Sequence, residues 1–200
     1  MRFFLGMIFG VLLLAVVAAA IVFTGSFNVS AIVPPGKAER RLATFALDRS
    51  VARRATNQEN PLPMNAETLR GGLHEFGENC VVCHGAPGVD PGAIGQGLNP
   101  GAPDLTLPRV QARSDGELFW ITSNGIRMTG MPAFSPTHDE KEIWEMVAFI
   151  RHLPEITDEE TAQLKAEAGS EEERKEGEAT AETPGPEQTP GPTPATPRAD

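Results

Sequence analysis

The sequence predicts an all-α protein in which one apolar helix precedes a small helical domain and a polar tail. Residues 3–23 form an unbroken apolar run. Residues 66–82 and 137–153 carry apolar side chains at the spacing of amphipathic helices. The segment between them, residues 85–108, is rich in glycine and proline and lacks the alternation of a half-buried strand.

The N-terminal run is long enough to cross a membrane. Its 21 residues, Phe3 to Phe23, would span ~30 Å as a helix, which is the thickness of a bilayer core. The alternative is a cleaved signal peptide, because Ala18-Ala19-Ala20 offers small residues for cleavage. The run is longer than the roughly 7–15 apolar residues of a signal peptide, so we expect an uncleaved anchor.

Cys80-Val81-Val82-Cys83-His84 is the stretch that carries chemistry. It is a C-x-x-C-H, the attachment signature of c-type haem. Two thiols three residues apart face the same way on a helix and can add across the two vinyl groups of one haem. The next histidine is then held beneath the iron as an axial ligand. The motif predicts one covalently bound haem c, with Cys80, Cys83 and His84 as cofactor-binding residues.

Two other uses of paired cysteines are open to this motif. A zinc site needs about four Cys or His ligands, but the chain has two cysteines and its other histidines are scattered, at His74, His138 and His152. A thioredoxin-like dithiol would lie near a βαβ unit, and no such unit is visible. Haem is therefore the favoured interpretation.

Charge is segregated along the chain. Residues 155–200 have a net charge of −9, residues 65–154 of −5, and residues 24–64 of +3. No basic surface with interleaved aromatic residues is evident, so we expect no nucleic-acid partner.

Residues 170–200 are rich in Glu, Pro, Thr and Gly. They lack the apolar content to offset their ordering entropy, which predicts disorder.

Residues 37–56 are predicted to form a juxtamembrane helix. Pro34-Pro35-Gly36 ends the preceding helix, and a linker around Asn60-Pro61 follows. Its basic side could rest on anionic headgroups or on the helical domain, or the helix could be a solvated spacer. Five residues share a stripe at helical spacing: Leu42, Phe45, Ala46, Arg49 and Arg53.

Gly72 and Phe76 lie eight and four residues before Cys80. This Gly-x-x-x-Phe-x-x-x-Cys-x-x-Cys-His pattern resembles the first helix of class I c-type cytochromes. In that family the glycine lets a C-terminal helix cross closely and an aromatic pair locks the crossing. The resemblance implies that Phe149 meets Gly72 and Phe76.

The C-terminal helix of that pair is predicted from capping signals. Thr137 as N-cap and Glu140 three residues later form a capping box, and Pro154 ends the helix. Ser114 with Glu117 predicts another helix, closed by Asn124-Gly125. Thr157 with Glu160 predicts one more, to about Ala168.

Two further segments resemble haem-binding parts of the same family. Ala102-Pro103-Asp104-Leu105 is similar to a segment whose proline carbonyl accepts a hydrogen bond from the ligand histidine. This implies a role for Pro103, with Pro100 as the competing candidate. Met131-Pro132-Ala133-Phe134 resembles the loop of the sixth iron ligand, which implies that Met131 binds the metal. Met128 is the alternative, expected otherwise to line the pocket as an apolar filler.

The resemblance, over residues 25–168, is to bacterial membrane-anchored, single-haem class I c-type cytochromes, near the cytochrome domains of cbb3-type oxidases. It implies a small helical bundle around haem c, His84 and Met131 as iron ligands, and electron transfer rather than enzymatic catalysis. The implied partners are redox proteins: a quinol-oxidising complex, a terminal oxidase or a periplasmic dehydrogenase. The alternatives are a subunit fixed in a larger oxidoreductase complex and a five-coordinate haem that binds gas or peroxide.

Location and domain order follow from these expectations. Basic residues flank the apolar run on both sides, so charge leaves its orientation open. Haem attachment in bacteria happens outside the cytoplasm, which implies a single pass through the inner membrane and a periplasmic domain. The expected parts are a transmembrane anchor (1–24), a juxtamembrane helix and linker (25–64), a cytochrome c haem domain (65–154), an extra helix (155–169) and a disordered acidic tail (170–200).

Overall fold

The computed structural model describes residues 2–26 and 28–167, and its regular elements there are helices. The predicted all-α fold is confirmed. The predicted disordered tail, residues 170–200, lies outside the described residues. The helices are α1 (Arg2–Phe23), α2 (Lys37–Arg54), α3 (Ala66–Asn79), α4 (Val81–His84), α5 (Ala93–Gln96), α6 (Pro108–Gln111), α7 (Asp115–Asn124), α8 (Glu140–His152), a 3₁₀ turn (Leu153–Glu155) and α9 (158–167).

Helix α1 is the apolar segment predicted from the sequence. It runs over 22 residues with a mean hydropathy of 2.9 in its most apolar window, and none of its residues is buried against the rest of the chain. Among the described residues it is the one helix long and apolar enough to cross a membrane.

Helices α3 and α8 cross at Gly72 and form the centre of the core. A Cβ at Gly72 would collide with the carbonyl oxygen of Glu145 and lie 2.7 Å from the Cβ of Phe149. The rings of Phe76 and Phe149, both fully buried, lie 5.3 Å apart between centroids. The expected contact of Phe149 with Gly72 and Phe76 is therefore present, because only glycine lets the helices approach this closely.

The first turn of α8 differs from the prediction. Asp139, not Thr137, is the N-cap, and its carboxylate accepts from the backbone N–H of Glu142 while Glu142 reaches back to the N–H of Asp139. Thr137 instead belongs to a turn in which the N–H groups of Thr137 and His138 donate to the carbonyl of Phe134. The predicted capping box of Thr137 and Glu140 was wrong. Two capping patterns overlap in this stretch, and the helix uses that of Asp139 and Glu142.

Helix α3 ends earlier than residue 82. Cys80 has φ −108° and ψ −41°, which breaks the regular helix between Asn79 and Val81. The C-x-x-C-H motif therefore continues from Cys80 into its own short helix, α4. At the other end, the side chain of Asn65 caps α3 by accepting from the N–H groups of Glu67 and Thr68.

Helix α2 packs on α7 through its C-terminal half. Val51 is fully buried, and Arg113 donates to Asp48 at 2.5 Å. The linker continues this contact, because the Asn60 amide donates to the carbonyl of Trp144 at 2.8 Å. The C-terminal half of α2 therefore rests on the helical domain, one of the placements expected from the sequence.

Helix α9 closes the core from the C-terminal side. Thr157 caps it by accepting from the N–H of Glu160, and Leu164 is fully buried. Nε2 of His152 lies 3.1 Å from a carboxylate oxygen of Glu160. Burial alone would raise the pKa of Glu160, but hydrogen bonds from Thr157 and His152 outweigh it and hold that pKa below its usual value. The carboxylate form thus stabilises the junction of α8 and α9.

Gly72→Ala is expected to lower the free energy of unfolding by about 1–3 kcal/mol. The added methyl meets the backbone of α8, which cannot move without separating the helices, and this outweighs the preference of helices for alanine. Chemical denaturation followed by the fluorescence of buried Trp144 measures the change. Gly101→Ala is the control, since a Cβ there meets nothing closer than 3.8 Å. Equal stability of the two variants would contradict the proposed constraint.

Candidate haem-binding site

The two cysteines lie on consecutive turns at the junction of α3 and α4. Cys80 is 7 % exposed and Cys83 is partly buried. Burial, with smaller contributions from Glu75 and Cys83, raises the pKa of the Cys80 thiol to about 12. Redox-active dithiols act as thiolates, which burial of Cys80 disfavours. A thioether carries no charge and fits an apolar position.

His84 is oriented by a single carbonyl. Its Nδ1 lies 2.8 Å from the carbonyl oxygen of Pro103. A carbonyl only accepts, so Nδ1 carries the proton and Nε2 presents a lone pair. Burial lowers the pKa of His84, and the hydrogen bond to Pro103 only partly opposes this shift. The imidazole is therefore held neutral and in the tautomer that binds a metal through Nε2.

Of the two candidate prolines, the structure brings Pro103 to His84.

The loop around the motif is shaped by close backbone contacts. Gly85, with φ 63°, ends α4, and a Cβ at Gly95 would lie 2.8 Å from the Cα of Cys83. The segment of α5 thus lies directly against the backbone of the attachment motif and holds it in place.

Met131 lies in a separate apolar cluster formed by α8 and the loop after α7. It is partly buried and packs against Phe134, Ile143 and Met146. Its backbone is fixed on both sides: its N–H donates to Oγ1 of Thr129 at 3.1 Å, and its carbonyl accepts from the N–H of Ile126 at 3.2 Å. The loop presents one methionine from an ordered backbone.

Met128 does not have the expected position. Its side chain is 91 % exposed, and its φ of 63° places the residue in the left-handed region. The expectation that Met128 fills the pocket was wrong. The physical reason is the tight turn over Ile126 to Thr129, closed by a hydrogen bond from the Thr129 N–H to the Ile126 carbonyl, which turns Met128 outward.

A polar network beside the Met131 loop was missed by the sequence reasoning, which treated His138 as scattered. Nε2 of His138 lies 3.4 Å from a Glu75 carboxylate oxygen and 3.3 Å from the Asn79 amide, and its Nδ1 lies 2.9 Å from Oγ1 of Thr137. Burial raises the pKa of Glu75, although His138 opposes the shift. The i, i+4 spacing of Glu75 and Asn79 on α3 was the available signal. The network joins α3 to the loop that carries Met131.

The comparison with protein families matches residues 67–150 to the family described as cytochrome c oxidase, cbb3-type, subunit III. Residues 67–150 are a cbb3-type cytochrome c domain. No curated protein matches the chain. The match covers the helix crossing, the attachment motif and the methionine loop described above, and a cytochrome c domain implies haem c and haem-based electron transfer.

The residues of this domain fit the cofactor that the family implies. A neutral, carbonyl-oriented imidazole and a thioether form a donor set found at the iron of c-type cytochromes. The buried Cys80 thiol suits a covalent link at an apolar position. Cys80, Cys83, His84 and Met131 stay the predicted residues for holding haem.

Cys80→Ala and Cys83→Ala are each expected to weaken haem attachment, whereas the unsubstituted protein should keep its colour after acid–acetone extraction. A thioether survives this treatment and a coordinate bond does not. The absorbance left in the protein fraction is the measurement. Colour that leaves the unsubstituted protein with the solvent would refute covalent attachment. His84→Ala is the matched variant, expected to retain haem but lose the low-spin spectrum.

Proposed function

We propose that the protein is a membrane-anchored c-type cytochrome that carries single electrons through one haem c. Cys80 and Cys83 would attach the haem, and His84 and Met131 would bind its iron. The observation that carries this proposal is the 2.8 Å contact between Nδ1 of His84 and the carbonyl of Pro103. It fixes the histidine in the one tautomer that can bind iron through Nε2.

The two ligands explain why a carrier is favoured over a catalyst. Haem c supplies an iron that accepts and releases one electron. A methionine thioether is neutral, soft and polarisable, and with histidine it favours the reduced state. With His84 and Met131 both holding the iron, no open position would remain for a substrate. The chain's own contribution is to orient these ligands and to surround the ring with the apolar residues of both core clusters.

Anchoring is the second part of the proposal. Helix α1 is apolar from Phe3 to Phe23 and long enough to span a bilayer. With the N-terminus in the cytoplasm, the haem domain would face the periplasm of the inner membrane, where its redox partners would be quinol-oxidising complexes, terminal oxidases or periplasmic dehydrogenases.

A subunit fixed within an oxidase complex is the second candidate function. It is favoured by the description of the matching family, which is that of an oxidase subunit. The same haem ligation would serve both functions. They differ in whether the protein leaves its partner after each electron.

Met131→Ala is expected to remove the weak sulfur-to-iron band of the ferric protein, lower the reduction potential and let carbon monoxide bind the ferrous form. Loss of the thioether opens the sixth position, and absorbance spectra with a redox titration measure each effect. Met128→Ala is the matched control, expected to keep the band and the potential because its side chain is exposed.

The opposite result would change the function. If the unsubstituted protein binds carbon monoxide readily and shows no sulfur-to-iron band, the iron is five-coordinate. The protein would then be a binder of gas or peroxide rather than a carrier.

The mature protein is expected to sediment with membranes and to stay there during a high-salt wash, because about 30 Å of apolar helix is held by the hydrophobic effect rather than by charge. Immunoblots of the washed membrane and soluble fractions provide the measurement. A soluble mature chain that begins near Ile21 would contradict the anchor.

Extraction in mild detergent separates the two candidate functions, the mobile carrier and the fixed subunit. A fixed subunit co-purifies with its complex, and a mobile carrier does not.

A further inference from the structure

Exposed apolar side chains outside α1 are concentrated in one segment. Among residues 28–167, eight large apolar side chains are exposed, and five of them lie between residues 29 and 45. A concentration of this kind next to a membrane-crossing helix indicates a surface that water does not normally cover. The five are Val29 (86 % exposed), Ile32 (93 %), Val33 (52 %), Leu42 (70 %) and Phe45 (61 %).

Helix α2 has two opposite faces. Leu47 is partly buried and Val51 is fully buried against the haem domain. Leu42 lies nine residues before Val51, which is two and a half turns and places it on the opposite side. Phe45, Arg49 and Arg53 share the side of Leu42 and are exposed. We call Leu42, Phe45, Arg49 and Arg53 the outer face.

The outer face combines apolar and basic side chains. The guanidinium of Arg49 lies over the ring of Phe45, 5.7 Å from its centroid. The two acidic residues of α2 are engaged elsewhere, since Asp48 pairs with Arg113 and Glu39 accepts from the N–H of Gly36. Apolar side chains flanked by arginine are the composition of helices that lie in the headgroup region of anionic membranes.

The chain keeps this face close to α1. Thirteen residues separate Phe23 from Lys37, and even a fully extended chain of this length reaches only about 45 Å. The linker is shorter than that limit, because it folds against the domain: the Asn99 amide donates to the carbonyls of Ala31 at 2.8 Å and Val33 at 2.7 Å. A bilayer that holds α1 is therefore within reach of α2.

We propose that the outer face of α2 lies on the anionic lipid surface of the membrane that α1 enters. Leu42 and Phe45 enter the boundary between headgroups and acyl chains, and Arg49 and Arg53 contact lipid phosphates. The buried face of α2 stays on the haem domain, so the helix fixes how the domain is oriented above the bilayer. The proposal rests on the proposed anchor and is independent of haem ligation.

The test uses the full haem-loaded chain in nanodiscs of phosphatidylcholine alone or with phosphatidylglycerol. The variant Phe45→Trp reports on the outer face, with the fluorescence of the parent protein subtracted to remove Trp120 and Trp144. In the anionic discs its emission should shift to shorter wavelength and lose intensity when brominated lipid is included. Thr44→Trp is the matched control on the same helix. Residue 44 is exposed, and it lies about 160° around the helix axis from Leu42, outside the outer face.

Charge reversal provides the second comparison. Arg49→Glu with Arg53→Glu, in the Phe45→Trp protein, should abolish both the shift and the quenching while the protein stays in the disc through α1. A protein that leaves the discs of both compositions would refute the anchor instead, so the two failures are distinguishable.

Two outcomes overturn the proposal. One is an emission that stays at long wavelength and unquenched in both kinds of disc. The other is a shift that is equal in both lipids and disappears when residues 170–200 are removed, since that result would assign the outer face to the acidic tail of the same chain.

Discussion

The close approach of α3 and α8 at Gly72 is the constraint on which the rest of the domain depends. Helix α3 leads directly into Cys80, and α8 supplies Ile143 and Met146 beneath the methionine loop. The C-x-x-C-H motif and the methionine loop are therefore held at the spacing that this crossing allows. A side chain at Gly72 would move the attachment motif away from the cluster that contains Met131, although neither segment contains the substituted residue.

The crossing also places a carboxylate where a glycine makes room for it. Glu145 is 6 % exposed, and a Cβ at Gly71 would lie 2.7 Å from its carboxylate carbon. Lys141, one turn earlier on α8, pairs with it, and the hydrogen bond to Glu145 raises the pKa of Lys141. A buried charge needs a partner, and here the partner reaches in from solvent. The adjacent glycines thus serve different purposes: Gly72 admits a backbone and Gly71 admits a charged side chain.

Much of the domain could be predicted from the sequence, because its strongest signals are local. The C-x-x-C-H motif, the capping box of Ser114 and Glu117 and the apolar stripe of α3 each lie within a few helical turns of the chain. Their spacing is read directly from the chain. The errors arose where local signals compete: Thr137 and Asp139 both begin a capping pattern, and only the turn onto Phe134 decides between them. The outward position of Met128 depends on backbone dihedral angles that composition does not reveal.

Contacts between distant segments were predictable only through resemblance or not at all. The carbonyl of Pro103 is 19 residues from His84, and it was expected because the segment resembles one in a known family. The network of His138 with Glu75 and Asn79 spans about 60 residues, and the spacing of Glu75 and Asn79 on α3 does not reveal that His138 joins them. Spacing along a helix predicts which side chains share a face, but it does not predict which other element that face meets.

Asp115 connects the linker that follows α2 to helix α8 of the core. One of its carboxylate oxygens accepts from the N–H of Asn60 at 3.0 Å, and the other accepts from Nε of Arg151 on α8 at 2.8 Å. Arg151 also donates to the carbonyls of Gln111 and Arg113. A guanidinium binds several acceptors in a fixed plane, so this junction resists rotation. An orientation given to α2 by the proposed lipid contact would therefore pass to α8 through this junction.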